Sequence, residues 1–358
     1  MPIPLLFQQI TFRSVTARNR IVVSPMCQYS AVDGLGSDWH VQHLGARAAG
    51  GAGIVFTEAT HVSSVARITH GCLGMYTAEH QALLTRLANV ITLCGSVPGM
   101  QIAHAGRKAS SDVPWVGGKP IPVDRGGWVP VAPSALPSVP GATVPHALSA
   151  SGIGDIIGEF AATARMAREA GFKILEIHGA HGYLGHSFLS PVSNQRNDRY
   201  GGDLNGRARF LLETIEAIRG EWPSDLPLWV RLSCTDWIQG GLTIEDTVAV
   251  ARKLAKTGLV DLIDCSSGGV SHDQKIPSLH PGYQVPFADA IRNQAGIATG
   301  AVGMITEPTH AAEILANGRA DVVLLARAML ADPAWPLRAA KALGVKPEVP
   351  PQYLRAAL

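Results

Sequence analysis

Short apolar runs rich in β-branched residues recur along the chain at 20–26, 53–57, 99–104, 173–178, 228–233, 260–266, 296–300 and 320–326. Helix-like stretches separate them, among them 78–93, 155–170, 207–219, 244–256 and 307–316, and tight hairpin signals do not. Continuous apolar runs spaced by helices are the pattern of buried parallel strands. Thr243 followed by Asp246 forms a capping pattern, and Gly171, Gly258 and Gly318 stand where helices should stop. Eight such units in one chain predict an α/β fold, a single (β/α)8 TIM barrel. A doubly wound sheet would carry an early G-x-G-x-x-G, and none follows the first strand.

One segment breaks the rhythm. Between Pro114 and Pro145 fall 8 of the chain's 24 prolines, with Gly117, Gly118, Gly126 and Gly127 among them. A loop of that length inside a compact domain is usually functional or disordered. It leaves the third strand at the end where a barrel keeps its chemistry. The expectation is therefore one domain over 1–358, with 110–150 as a lid-like excursion facing the substrate and 345–358 as a C-terminal tail.

Composition narrows the partners. With 30 Lys and Arg against 28 Asp and Glu, the net charge of +2 gives no basic field for nucleic acid or an anionic membrane. Five cysteines, at 27, 72, 94, 234 and 265, contain no C-x-x-C pair, so neither a disulfide framework nor a metal cassette is expected. The start has no cationic leader pattern, and nowhere do about 18 apolar residues run in succession. A soluble cytoplasmic protein acting on a small molecule is expected.

Nearly every strand ends in residues that a core would not want. The first ends Ser24, Pro25, Met26, Cys27; the second Thr57, Glu58, Ala59; the third carries Gln101 and His104 and runs on to Arg107 and Lys108. The fourth delivers His178 and His181, the fifth Arg231, the sixth Ser266 and Ser267, the seventh Gly300 and Gly303, and the eighth Arg327. All would converge on the carboxyl face, where barrels of this kind assemble sites from several strand ends. One such residue alone is more often structural; eight ends together are hard to dismiss. The glycines after strand seven and Arg327 after strand eight fall at the usual barrel phosphate site. His178 and His181 could be half a zinc site, but no spacing supplies a third ligand, and no metal is expected.

The runs Ser24 to Tyr29 and His178-Gly-Ala-His181-Gly-Tyr183-Leu184, continuing through Pro191, Asn194, Arg196, Asp198 and Tyr200 to Phe210, resemble the old yellow enzyme family. The similarity is to its thermophilic-like subgroup, which includes xenobiotic reductases, and covers essentially the whole chain. It implies noncovalent FMN, reduced by NADPH or NADH. Ser24, Pro25, Met26, Cys27 and Ala59 would line the flavin ring, Gln101 would bond its pyrimidine edge, and Arg231 would lie near N1 and O2. Gly303, Ala326 and Arg327 would hold the phosphate, with Ser267 and Lys108 near the ribityl and phosphate side. His178 and His181 would grip a substrate carbonyl, Tyr183 would give the completing proton, and Tyr29 would contact substrate. Cys27 would tune the flavin potential without a covalent intermediate. Arg355 matches an arginine that reaches a neighbouring subunit's site, which implies a homodimer or higher homo-oligomer.

The chemistry asks for these residue types. Hydride can reach the β-carbon of an enone only if charge moves onto the activating oxygen, so donors must wait there. A phenol can then protonate the α-carbon. The expected activity is that of an ene-reductase on α,β-unsaturated carbonyls, maleimides or nitro compounds. Two alternatives are a flavin barrel acting on RNA, like dihydrouridine synthases, and a non-catalytic barrel that binds a phosphorylated ligand. Larger iron-sulfur relatives of the family would need a cysteine cluster that this chain lacks.

Overall fold

A computed structural model describes residues 3–356. The extreme ends of the expected 1–358 domain and 345–358 tail, residues 1, 2, 357 and 358, lie outside the described residues. The chain opens with a hairpin of β1 (Ile10–Phe12) and β2 (Val15–Ala17), then β3 (Ile21–Val23), α1 (Asp38–Ala49), β4 (Ile54–His61), α2 (Ala78–Leu93) and β5 (Val97–Ala103). A short pair, β6 (Val131–Ala132) and β7 (His146–Ala147), precedes α3 (Ala150–Glu169), β8 (Ile174–Gly179), α4 (Leu184–Leu189), α5 (Leu204–Glu221) and β9 (Leu228–Ser233). There follow α6 (Ile244–Thr257), β10 (Leu262–Ser266), α7 (Val285–Ala295), β11 (Ala298–Ala301), α8 (Pro308–Ala316), β12 (Val322–Leu325), α9 (Arg327–Ala331) and α10 (Trp335–Ala342).

Eight strands close into a barrel in the order β10-β11-β12-β3-β4-β5-β8-β9, every pairing parallel. Each is one of the strands that the apolar runs predict, and the (β/α)8 expectation holds. The capping pattern also holds. Thr243 and Asp246 form a reciprocal capping box, and Gly258 closes α6 in the left-handed region at φ 66°. Helices α1, α4, α7, α9 and α10 are additions to the stretches named from the sequence. In α1 the box is Ser37 with His40, whose Nδ1 accepts from the Ser37 N–H at 3.0 Å. A histidine takes the role usually given to Glu or Gln, so the usual sequence signature of a helix start is missing.

Two cores result. Side chains on the outer face of the sheet pack against the helices, with Ile21, Val55, Ile102, Ile177 and Ile263 fully or nearly buried. Side chains on the inner face fill the lower barrel: Val22, Ile54, Phe56, Ile174, Trp229, Leu262, Val322 and Leu324. The β1–β2 hairpin plugs this end, Phe12 meeting Trp229 edge-on at 5.2 Å between ring centroids. The upper barrel is thereby left to polar residues.

The excursion leaves β5 and returns over the barrel mouth. Ile121 N–H donates to Ser110 O at 2.7 Å, and Arg196 Nη1 donates to Pro133 O at 2.8 Å and to Leu148 O at 2.6 Å, fixing its two ends. Only the two-residue strands β6 and β7 and two short 3-10 turns form within it, as its prolines require.

Candidate active site

Successive inward positions of a strand lie two residues apart, and three strands climb in step. Ile174, Glu176 and His178 rise along β8; Trp229, Arg231 and Ser233 along β9; Leu262, Asp264 and Ser266 along β10. The register locks them together, with His178 paired to Arg231, and Arg231 to Asp264. Along each strand an apolar residue is thus followed by a charged one and then by a residue of the site.

The charged residues are buried. Gln101 Nε2 donates to Glu176 Oε1 at 2.7 Å, and Arg231 Nε lies 3.0 Å from Asp264 Oδ2. Arg231 also reaches Ser24 Oγ at 3.3 Å, tying the end of β3 to β9. Burial, then the neighbouring Asp264 charge, pushes Glu176 up to about 8. Burial likewise lifts Asp264 to about 6, against the pull of Arg231. One arginine facing two buried carboxyls cannot keep both ionised, so one proton stays with the pair at neutral pH.

Above it, His178 Nδ1 accepts from the Ala180 N–H at 3.2 Å. Its Nε2 lies 3.3 Å from His181 Nδ1, and His181 Nε2 lies 2.7 Å from Ser266 Oγ. Burial, then the Arg231 charge, holds both imidazoles well below their ordinary pKa, so both are neutral. His181 sits in the left-handed region at φ 59° and Gly182 follows at φ 76°. A side chain at Gly182 would meet Gly269 O at 2.2 Å, so only glycine lets the two loops close. Tyr183 packs edge-on to His178 with 4.7 Å between centroids, and burial drives its phenol well above the ordinary value.

Beneath this turn lies a second buried network. Gly182 N–H donates to His186 Nδ1 at 2.8 Å, His186 Nε2 lies 2.8 Å from Asp236 Oδ1, and Ser190 donates to Asp236 Oδ2 at 2.6 Å. It fixes the backbone that presents His181 and Tyr183.

Two cavities flank these groups. One, of about 320 Å³, is lined by Gln284, Gly303, Ala326 and Arg327, and among the described residues no carboxylate lies within ion-pair distance of Arg327. Ser267 Oγ donates to Gln284 Oε1 at 2.5 Å on its inner side. The other, of about 350 Å³, is lined by Tyr29, Lys108 and Gly269 together with Pro114, Gly118, Pro120 and Val139 of the excursion. The excursion therefore walls the mouth of the site. Trp115, 68% exposed, stands edge-on to Tyr29 at 5.7 Å.

Ser24, Gln101, Arg231, His178, His181 and Tyr183 are thus brought together, with Cys27 and Tyr29 packed against the same cluster as Tyr183. Ala59 follows a bulge in β4 that shifts register after Phe56 and restores it at Gln101. Pro25 and Met26 continue from β3 toward Cys27. Ser267, Gly303, Ala326 and Arg327 gather at the first cavity.

One placement, that of Lys108, differs from expectation, and Arg355 stands apart from the site of its own chain. Lys108 lines the mouth, donating to His181 O at 2.9 Å and Gly269 O at 3.1 Å, and does not line the Arg327 cavity. Arg355 is exposed on a tail whose Tyr353 lies with Arg18, Leu93 and Cys94, at the end of the barrel opposite the histidines. It does not join the site of its own chain. The reading by strand ends overlooked Glu176 and Asp264. Each interrupts an apolar run at an inward position, a signal that strand ends alone do not use.

These residues fit FMN. The Arg327 cavity supplies a guanidinium and backbone for a dianion, and Ser267 and Gln284 add polar contacts beside it. Gln101, donating to Glu176, keeps its amide oxygen to accept a ring N–H. Among the described residues no group of three potential metal ligands occurs.

Residues 5–345 match the model of the NADH:flavin oxidoreductase / NADH oxidase family. An NADPH dehydrogenase of a Geobacillus species is 46% identical over 356 residues, covering 98% of both chains. Among solved structures, morphinone reductase superposes with a TM-score of 0.79 at 26% identity, over 98% of this chain and 92% of that one. A 2-naphthoyl-CoA reductase superposes with a TM-score of 0.85 at 28% identity over 94% of this chain, which spans 52% of that longer protein.

Proposed function

The chain belongs to the NADH:flavin oxidoreductase / NADH oxidase family, and from that premise we propose that it reduces activated C=C bonds of α,β-unsaturated carbonyls, maleimides or nitro compounds. As a member of the old yellow enzyme family it is an FMN-dependent NAD(P)H oxidoreductase. A barrel that only binds a phosphorylated ligand is thereby set aside. FMN held at the site would supply the hydride chemistry that links NAD(P)H to the acceptor.

The observation that carries the proposal is the neutral histidine pair standing above Arg231 and beside Tyr183. His178 and His181 each have one N–H to give, and two N–H groups suit an oxygen that gains charge as the β-carbon takes hydride. Neutral imidazoles donate without surrendering a proton, so the proton for the α-carbon comes from elsewhere. Tyr183 holds it, as a phenol kept protonated by burial. Arg231 would hold negative charge on the reduced flavin, while Arg327 and Gly303 would hold its phosphate. Tyr29 and the excursion shape the entry for substrate.

Titration of the oxidised holoprotein with 4-chlorophenol tests the pair. A phenolate oxygen should take the clamp, stack its ring on the flavin and raise a long-wavelength charge-transfer band. His178→Ala should weaken binding about tenfold or more. Equal binding by variant and parent would rule the clamp out.

A further inference from the structure

The hydrogen bonds around the two histidines fix where their protons lie in the resting protein. Ala180 N–H points at His178 Nδ1 from 3.2 Å, so Nδ1 is an acceptor and the proton of this neutral imidazole sits on Nε2. That Nε2–H faces His181 Nδ1 at 3.3 Å, which must therefore accept. His181 then carries its own proton on Nε2 and gives it to Ser266 Oγ at 2.7 Å. A substrate oxygen arriving at this arrangement meets one N–H and one bare nitrogen lone pair. The lone pair repels it.

We propose that Ser266 is the positioning residue that lets His181 change tautomer, so that both imidazoles can donate to one oxygen. The inference rests on the clamp reading above and adds a residue to it. For His181 to present Nδ1–H, the hydrogen on Nε2 is lost and one is gained on Nδ1 by exchange with solvent, with no net change in protonation. Nε2 is then a buried acceptor that needs a donor. Among the described residues its side-chain partner is Ser266, and no other side chain engages the Ser266 hydroxyl. A hydroxyl can turn from acceptor to donor; a carbonyl or carboxylate could not. Burial closes the other route, in which an imidazolium would offer both N–H groups, because it holds His181 well below its ordinary pKa. Ser266 stands at the top of β10, nearly buried and held through its backbone by the Cys234 N–H at 2.8 Å. The rotor is therefore fixed in place and free in orientation.

The test is ¹⁵N NMR of histidine-labelled holoprotein, with and without 4-chlorophenol. The expected result is His181 protonated on Nε2 without ligand and on Nδ1 with it, while His178 stays protonated on Nε2. Ser266→Ala, which leaves Nε2 without a donor, should weaken phenol binding about tenfold or more and leave His181 as the Nε2–H tautomer. Ser266→Thr, which keeps the hydroxyl, should restore the exchange. If His181 has one tautomer in both states, or Ser266→Ala binds phenol like the parent, the role of Ser266 is overturned. Should His178→Ala still weaken binding in that case, the clamp survives and only Ser266 is lost; if His178→Ala also has no effect, the clamp itself has failed.

Discussion

The ammonium of Lys108 lies 5.3 Å from the ring centroid of Tyr183. Burial, then the charge of Arg107, lowers the lysine to about 8, so it is still charged at neutral pH. A cation there stabilises the phenolate left when Tyr183 gives up its proton. Lys108→Met, which keeps the apolar stem, should slow reoxidation of the reduced enzyme by an enone about 10- to 100-fold. In the parent the same rate should fall as pH rises through about 8, where Lys108 loses its charge. The variant should lack that inflection. Rapid-mixing rates across pH decide it, and overlapping profiles would remove Lys108 from the proton step.

Glu176 ties stability to pH. Its folded value of about 8 is above the roughly 4.3 of a free glutamate, so the folded state binds the proton more tightly. The resulting stabilisation is complete below the unfolded value and is lost as pH rises through the folded one. Glu176→Gln is neutral at every pH and escapes this loss. The melting temperature of the variant relative to the parent should therefore climb between about pH 5.5 and about pH 8.5. A constant difference would show that Glu176 is ionised throughout.

Cys27 is held as a thiol by its hydrogen bond to Cys72 and by burial, both of which raise its pKa. A protonated thiol is a poor nucleophile. Cys27→Ala should keep bound FMN and measurable turnover while the flavin midpoint potential shifts, as spectroelectrochemistry would record. Complete inactivity at an unchanged potential would contradict a tuning role.

The barrel was legible because its strands are doubly buried and read as plain apolar runs, from 20–26 through 320–326. Strand ends carried most of the site for the same reason, since polar residues after such runs have one face to occupy. Ser24, Gln101, His178 and Arg231 were found in that way. What remained hidden depends on register. That Glu176 and Asp264 both face Arg231 across neighbouring strands depends on how β8, β9 and β10 come together, which no single run records. The place of Lys108 depends on a 3-10 turn after β5, Gly106–Lys108, that swings it to the mouth. The start of α1 was obscured by a histidine doing the work of a capping carboxylate.

Arg355 can serve a site only if that site belongs to another copy, because its own tail lies at the far end of the barrel. We propose a homo-oligomer in which it does. Removing the chain from residue 353 onward should raise the apparent KM for an enone several-fold with little change in melting temperature. A monomer at micromolar concentration with full activity, seen by sedimentation, would end this proposal.

Anaerobic reduction of the holoprotein by NADPH, followed by mixing with 2-cyclohexenone, tests the central claim most directly. The account predicts that flavin absorbance returns as one equivalent of saturated ketone forms, and that His178→Ala slows this return on the order of 10²-fold while its reduction by NADPH is less affected. A flavin that stays reduced with cyclohexenone, maleimide and a nitroalkene alike, yet is reoxidised by oxygen, would contradict it.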